Sequence, residues 1–237
     1  MDFFKNTKNL TDIHAVQIKI PDEVPDEMPK YTADFMDMLR SGQSPMTDES
    51  FEEQMLGHSK EYRLKEAYNM AGMYAFVSWR WVEPFAEWIG NRKVLEVMAG
   101  RGWLTYALRQ KGIDIAATDN FSWKAREWVE TLTQVDEADA IESIDIFKEE
   151  MDILIIAWPY MDNTAYQVMK RLNEVRPDVP IVYIGEMGGC TADDDFWGSF
   201  EIIHDEKFEK AASLYQSWFG IHDNLYLGKM RSDRNES

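Results

Sequence analysis

Between residues 94 and 120 the spacing of apolar positions switches from strand to helix and back. Val94 to Val97 form a short apolar run that reads as a buried strand. The turn Met98-Ala99-Gly100-Arg101-Gly102 follows. Trp103, Leu104, Ala107 and Leu108 then recur at helical spacing, and Gly112 stands where a helix would stop. A second apolar run, Ile113 to Ala117, leads to Asp119. Strand, glycine turn, helix, strand and acid in this order are the parts of a nucleoside-binding βαβ unit. Glycines let the backbone approach a ligand, a helix N-terminus offers free N–H groups, and the acid accepts bonds from ribose hydroxyls.

The same reading extends along the chain. Residues 1–60 are acidic and weakly patterned, and the PDEVPDEMP stretch reads as part of an extended, partly mobile arm with one short helix from Tyr31 to Leu39. Residues 61–237 form the domain. It opens on an aromatic lead-in (Tyr62, Tyr68, Tyr74, Phe76, Trp79, Trp81) with helical spacing. Pro84 suits the first turn of a further helix that buries Phe85, Trp88 and Ile89. A helix from Ser122 to Leu132 follows Asp119, with Ser122 as N-cap. Residues 134–150 fit either a strand and a helix or a single helix. Ile153 to Ala157 is an unbroken apolar strand. A helix capped by Asp162 or Asn163 then buries Ala165, Val168, Met169, Leu172 and Val175. Ile181 to Ile184 is a strand, Thr191 or Asp193 caps a short helix through Phe200, and two last strands lie near 200–204 and 225–230. Strands alternating with helices predict a mainly parallel sheet covered on both faces.

Composition narrows the partners. The 237 residues carry 43 acids against 25 bases, a formal net charge of −18. Such a field repels nucleic-acid phosphates and anionic membranes, so neither is an expected partner. The single cysteine, Cys190, leaves no internal disulfide and no cysteine-built zinc site. It fits a reducing compartment, and with no apolar signal core at the N-terminus a cytoplasmic location is expected. Asp193 to Asp195 with His204 read as helix-capping acids rather than a metal site.

The turn from Glu96 to Gly102 resembles motif I of the Rossmann-like S-adenosylmethionine-dependent methyltransferases, an acid followed by three alternating glycines. Glu96 takes the acid's place, Gly100 and Gly102 the second and third glycines, and Met98 replaces the first. The plain alternative is an ordinary βα turn, and a dinucleotide site needs a longer glycine spacing. In this pattern Asp119 holds the ribose hydroxyls; its plain alternative is a cap on the helix at Ser122. Asp139 falls near the adenine. Ala157-Trp158-Pro159-Tyr160 resembles motif IV, with Ala157 in place of the polar residue that amino-methylating members carry. Trp158 and Tyr160 then wall the site or pack under a loop. The run Gly185-Glu186-Met187-Gly188-Gly189-Cys190-Thr191, with the later His222-Asp223, resembles a little-characterised methyltransferase-like group over roughly residues 74–230. Glu186 reads as a base or cation ligand, or as an acid tied to the backbone of 188–190. His222 and Asp223 read as an oriented pair or as a turn.

The resemblance implies a Rossmann-like α/β domain with seven strands, one antiparallel strand in its last hairpin, and a helical N-terminal extension. It implies methyl transfer from S-adenosylmethionine to a small-molecule or protein acceptor. Glu96, Met98, Gly100, Gly102, Asp119, Asp139 and Trp158 would surround the cofactor, Glu186 and Tyr160 would be catalytic, and no metal is needed. The competing expectation is a non-catalytic acidic scaffold or nucleic-acid mimic, which Met98, Ala157 and the charge favour.

Overall fold

The computed structural model describes residues 22–29, 41, 62–123 and 130–231. The helix expected from Tyr31 to Leu39, most of the acidic arm, and residues 124–129 of the helix expected from Ser122 lie outside them. Ser122 and Trp123 form a turn. Residues 62–70 are helical, but the aromatic lead-in is not one helix. Residues 71–78 form turns and extended chain.

The first labelled helix, α1, spans Trp79–Ile89, so it starts five residues before Pro84 rather than at it. Its buried residues Trp81, Val82, Phe85, Trp88 and Ile89 recur on one face on both sides of the proline. Burying each is worth about 1.5–3 kcal/mol, which together outweighs the roughly 3 kcal/mol that an interior proline costs. The acidic stretch 22–29 holds the start of α1. The Pro25 and Asp26 carbonyls accept from the N–H groups of Trp79 (2.9 Å) and Arg80 (2.8 Å), two of the donors that a helix start leaves unpaired. Val24 and Met28 are buried beneath it. Residues 22–29 of the expected arm are therefore docked.

Strands β1 (Val94–Val97), β2 (Ile115–Asp119), β3 (Asp136–Glu137), β4 (Ile153–Ala157), β5 (Ile181–Glu186), β6 (Phe200–Ile202) and β7 (Asp223–Met230) form one sheet in the order β3-β2-β1-β4-β5-β7-β6. The pairs from β3 through β5 are parallel. β7 runs antiparallel to both β5 and β6, so the sheet is mixed rather than mainly parallel. Helices α2 (Trp103–Gln110), α3 (Ala140–Phe147), α4 (Thr164–Val175), α5 (Asp194–Ser199) and α6 (Glu206–Ala212) complete the fold. Residues 134–150 resolve into β3 and α3, with the Asp139 carboxylate capping α3 through the Ile141 N–H at 2.8 Å.

Two apolar clusters flank the sheet. One joins α1, α2 and α6 to Ile153, Ile155, Val182 and Ile184. The other joins α3, α4 and α5 to Leu95, Val97, Leu154 and Ile156. Strand order reverses between β1 and β4. A crevice opens at the carboxyl edge of such a switch point, and that is where open α/β sheets bind ligands. Among the described residues no helix is long and apolar enough to cross a membrane.

Candidate functional site

Backbone strain gathers along the carboxyl edge of the sheet. The described non-glycine residues with positive φ are Met98 (56°), Phe121 (52°), Trp158 (49°) and Ala192 (53°). Met98 directly follows β1, Phe121 lies two residues beyond β2, Trp158 directly follows β4, and Ala192 lies in the loop after β5. An L-residue held in the left-handed region costs about 1–3 kcal/mol, and such residues cluster at functional sites.

At this edge lies a cavity of about 450 Å³. Its floor is the glycine turn after β1 and the end of β4. Its walls include Trp103, Asp119, Trp123, Asp139, Trp158 and Tyr160, and its roof is the lead-in from Gly72 to Ala75. The roof is fastened to the start of α2. The Ala71 carbonyl accepts from the Trp103 indole N–H (2.7 Å) and from Arg101 Nη1 (2.8 Å). Gly100 and Gly102 have φ of 57° and 77°. A Cβ on Gly100 would point into open space, whereas one on Gly102 would meet Val135 and Thr133 at 3.0 and 3.1 Å. Gly102 therefore serves packing of the turn, and Gly100 leaves its backbone open.

Two buried acids brace the floor. The Asp119 carboxylate accepts from the Gly100 N–H (2.8 Å), the Phe121 N–H (2.7 Å) and the Trp123 indole N–H (3.0 Å). Three of about four acceptor positions are used, which leaves one for a ligand. Asp119 thus ties the glycine turn to the loop after β2 as well as bordering the cavity. Glu96 is 2 % exposed and accepts from the Thr105 hydroxyl. Burial pushes its carboxyl up to about 7, against the opposing pull of Thr105.

Trp158 borders the cavity with its indole N–H bonded to Asp223 Oδ2 at 2.9 Å. Asp223 also accepts from the Tyr215 hydroxyl and is 6 % exposed, while His222 is exposed. Asp223 is therefore an anchor for Trp158, and the exposed His222 does not share its buried site as an oriented pair would. Burial pushes the Asp223 carboxyl up.

The catalytic role expected of Glu186 does not fit its placement. It is buried, it is not among the cavity walls, and its two oxygens accept from the backbone N–H groups of His222 (2.7 Å) and Cys190 (2.9 Å). Burial pushes this carboxyl up, but those N–H groups outweigh it and hold it below the usual range. The glycine–cysteine–threonine run has the same purpose. A Cβ on Gly189 would strike the Glu186 side chain at 2.6 Å, and Thr191 Oγ1 accepts from the Glu186 N–H at 2.8 Å. Glu186→Gln should turn an amide N–H against one of those donors. A stability loss of about 1.5–3 kcal/mol in urea unfolding is expected.

The other expected residues gather as follows. Glu96, Met98, Gly100, Asp119, Asp139, Trp158 and Tyr160 border one cavity, and Gly102 lies just behind it. Met98 also packs against the cluster containing Leu95 and Val97. Asp193 caps α5 through the Phe196 N–H at 2.9 Å, and His204 pairs with Glu209 at 2.9 Å, which separates their roles. Sequence reasoning missed Trp123, the roof residues and the bond by which Asp223 anchors Trp158. Trp123, four residues past Asp119, carried a usable signal; the pairing of Asp223 with Trp158 carried none, since the two lie 65 positions apart.

No family model matches the chain, and no curated protein matches it. Solved structures similar to it include human N-acetylserotonin methyltransferase in complex with SAM. That similarity has 13% identity, 73% of this chain and 55% of that one covered, and a TM-score of 0.41. TehB from Haemophilus influenzae gives 13% identity, 73% and 67% coverage and a TM-score of 0.40. The CcbJ methyltransferase from Streptomyces caelestis gives 10% identity, 64% and 89% coverage and a TM-score of 0.40. The chain spans about half the length of the human protein.

Proposed function

We propose that the cavity binds S-adenosylmethionine and that the protein is an enzyme transferring its methyl group to a small-molecule or protein acceptor. The observation that carries this reading is the convergence at one crevice. An open glycine turn, a strand-end acid with an acceptor position left, and the strained residues Met98 and Trp158 after β1 and β4 all meet there. The volume of about 450 Å³ lies within the usual range for ligand pockets.

The residues present fit that cofactor. Gly100 admits a ligand against its backbone, the remaining Asp119 acceptor suits a ribose hydroxyl, and Asp139 borders the same cavity. Met98 borders the cavity without closing it. The bound cofactor would supply an electrophilic methyl group, so the chain's own task is alignment and exclusion of water. Trp103, Trp123 and Trp158 supply apolar walls, and the exposed Tyr160 can orient an acceptor at the mouth.

Incubation with methyl-labelled S-adenosylmethionine and fractionated cell extract tests the reading. Label should move to a fraction component, and Trp158→Ala should suppress the transfer. Bound cofactor with no transfer to any fraction would leave a binding protein in place of an enzyme. Nucleic acid is not the proposed acceptor. With a net charge of −18, random duplex DNA should form no complex in a gel-shift titration at physiological salt. A micromolar complex would contradict this.

A further inference from the structure

Tyr74, Trp158, Tyr160 and Met161 border the cavity on the side of the turn after β4. The Tyr74 and Trp158 rings stack with centroids 6.4 Å apart and planes at 29°. Tyr160 and Met161 are exposed at the mouth. Behind Trp158 lies Asp223, whose Oδ2 accepts the indole N–H and the Tyr215 hydroxyl. Its Oδ1 is buried with no hydrogen-bond partner among the described residues. A carboxylate on the indole N–H pushes electron density into the ring, which strengthens the ring face as a partner for a cation. The described residues lining the cavity include the carboxylates Glu96, Asp119, Asp139 and Asp162 and no lysine, arginine or histidine. An anionic ligand would be repelled there. A neutral one gains only contact, and a cation gains both contact and charge.

We propose that the acceptor end of this cavity recognises an organic cation, an alkylammonium group on a small molecule, and that Asp223 is the positioning residue behind its aromatic wall. The proposal rests on the cofactor reading above. The same chemistry could serve the cofactor's own sulfonium, and the test separates the two.

Choline and its uncharged isostere 3,3-dimethylbutan-1-ol are titrated calorimetrically into the full chain, with and without saturating S-adenosylhomocysteine. With that product bound, choline should bind about tenfold more tightly than the isostere. Tyr74→Leu and Asp223→Asn should each remove most of this preference, measured at S-adenosylhomocysteine concentrations that saturate each variant. Tyr74 lies at the cavity roof, so its variant decides the matter if the Asp223 variant does not fold. Equal binding of the two probes, or a preference that survives in Tyr74→Leu, overturns the proposal. So does a choline preference that vanishes with product bound while S-adenosylmethionine binds tenfold more tightly than S-adenosylhomocysteine; the wall would then serve the sulfonium. If S-adenosylhomocysteine does not bind at all, the cofactor reading fails, and the titration of the free protein still decides the wall.

Discussion

Replacing Asp119 with alanine is expected to abolish ligand binding and to lower stability by about 3 kcal/mol. The carboxylate is 6 % exposed and takes three donors, from Gly100, Phe121 and Trp123. A hydrogen bond to a charged group contributes about 1.5–3 kcal/mol, and donors left buried without a partner add to the loss. The total stays below the simple sum because water entering the cavity can reach the Gly100 N–H. Asp119→Asn keeps one acceptor oxygen and should fall between. Asp139→Ala is the contrasting case, since Asp139 is exposed and caps only α3. It should cost about 1 kcal/mol, the usual value of an N-cap. Urea unfolding measures both, and equal losses in the two variants would contradict the bracing role.

That double duty of Asp119 marks how far the sequence could be read. The βαβ order was legible because β1, α2 and β2 follow their apolar periods closely, and the glycine turn sits between them. β4, α4 and β5 were legible for the same reason. α6 was not, because its heptapeptide EKFEKAA buries only Phe208 and Ala211 and shows little period. Pro84 misplaced the start of α1, since tertiary burial overrode a local rule. At the site, residues close in sequence were found and distant pairings were not. The tie of Glu186 to His222 spans 36 positions and that of Trp158 to Asp223 spans 65. A carboxylate at a strand end looks the same in sequence whether it faces a ligand or a ring of backbone donors. Only its fold neighbours distinguish them.

The second large effect is a pH dependence carried by Glu96. Its folded carboxyl titrates at about 7, against an ordinary 4.5, because burial disfavours the charged form. That shift corresponds to about 3 kcal/mol. A raised carboxyl favours the protonated folded state. Its contribution is therefore complete below about pH 4.5 and is lost as pH rises through about 7. Glu96→Gln removes the titration while keeping an oxygen for the Thr105 hydroxyl. The variant should gain on the wild type as pH rises, by up to about 3 kcal/mol near pH 8, relative to their difference at pH 4.5. Urea unfolding of both proteins across this range reads the difference directly. A difference that stays constant with pH would show that Glu96 is charged in the fold throughout.

The central claim is that the crevice holds the methyl donor, and a calorimetric titration with S-adenosylhomocysteine tests it most directly. The wild type should bind one equivalent with micromolar or tighter affinity, and Asp119→Ala should show no binding under the same conditions. The expectation for Glu186→Gln is unchanged affinity, because Glu186 is not among the cavity walls. A wild-type protein that is folded yet gives no binding heat at any of several temperatures would contradict the account.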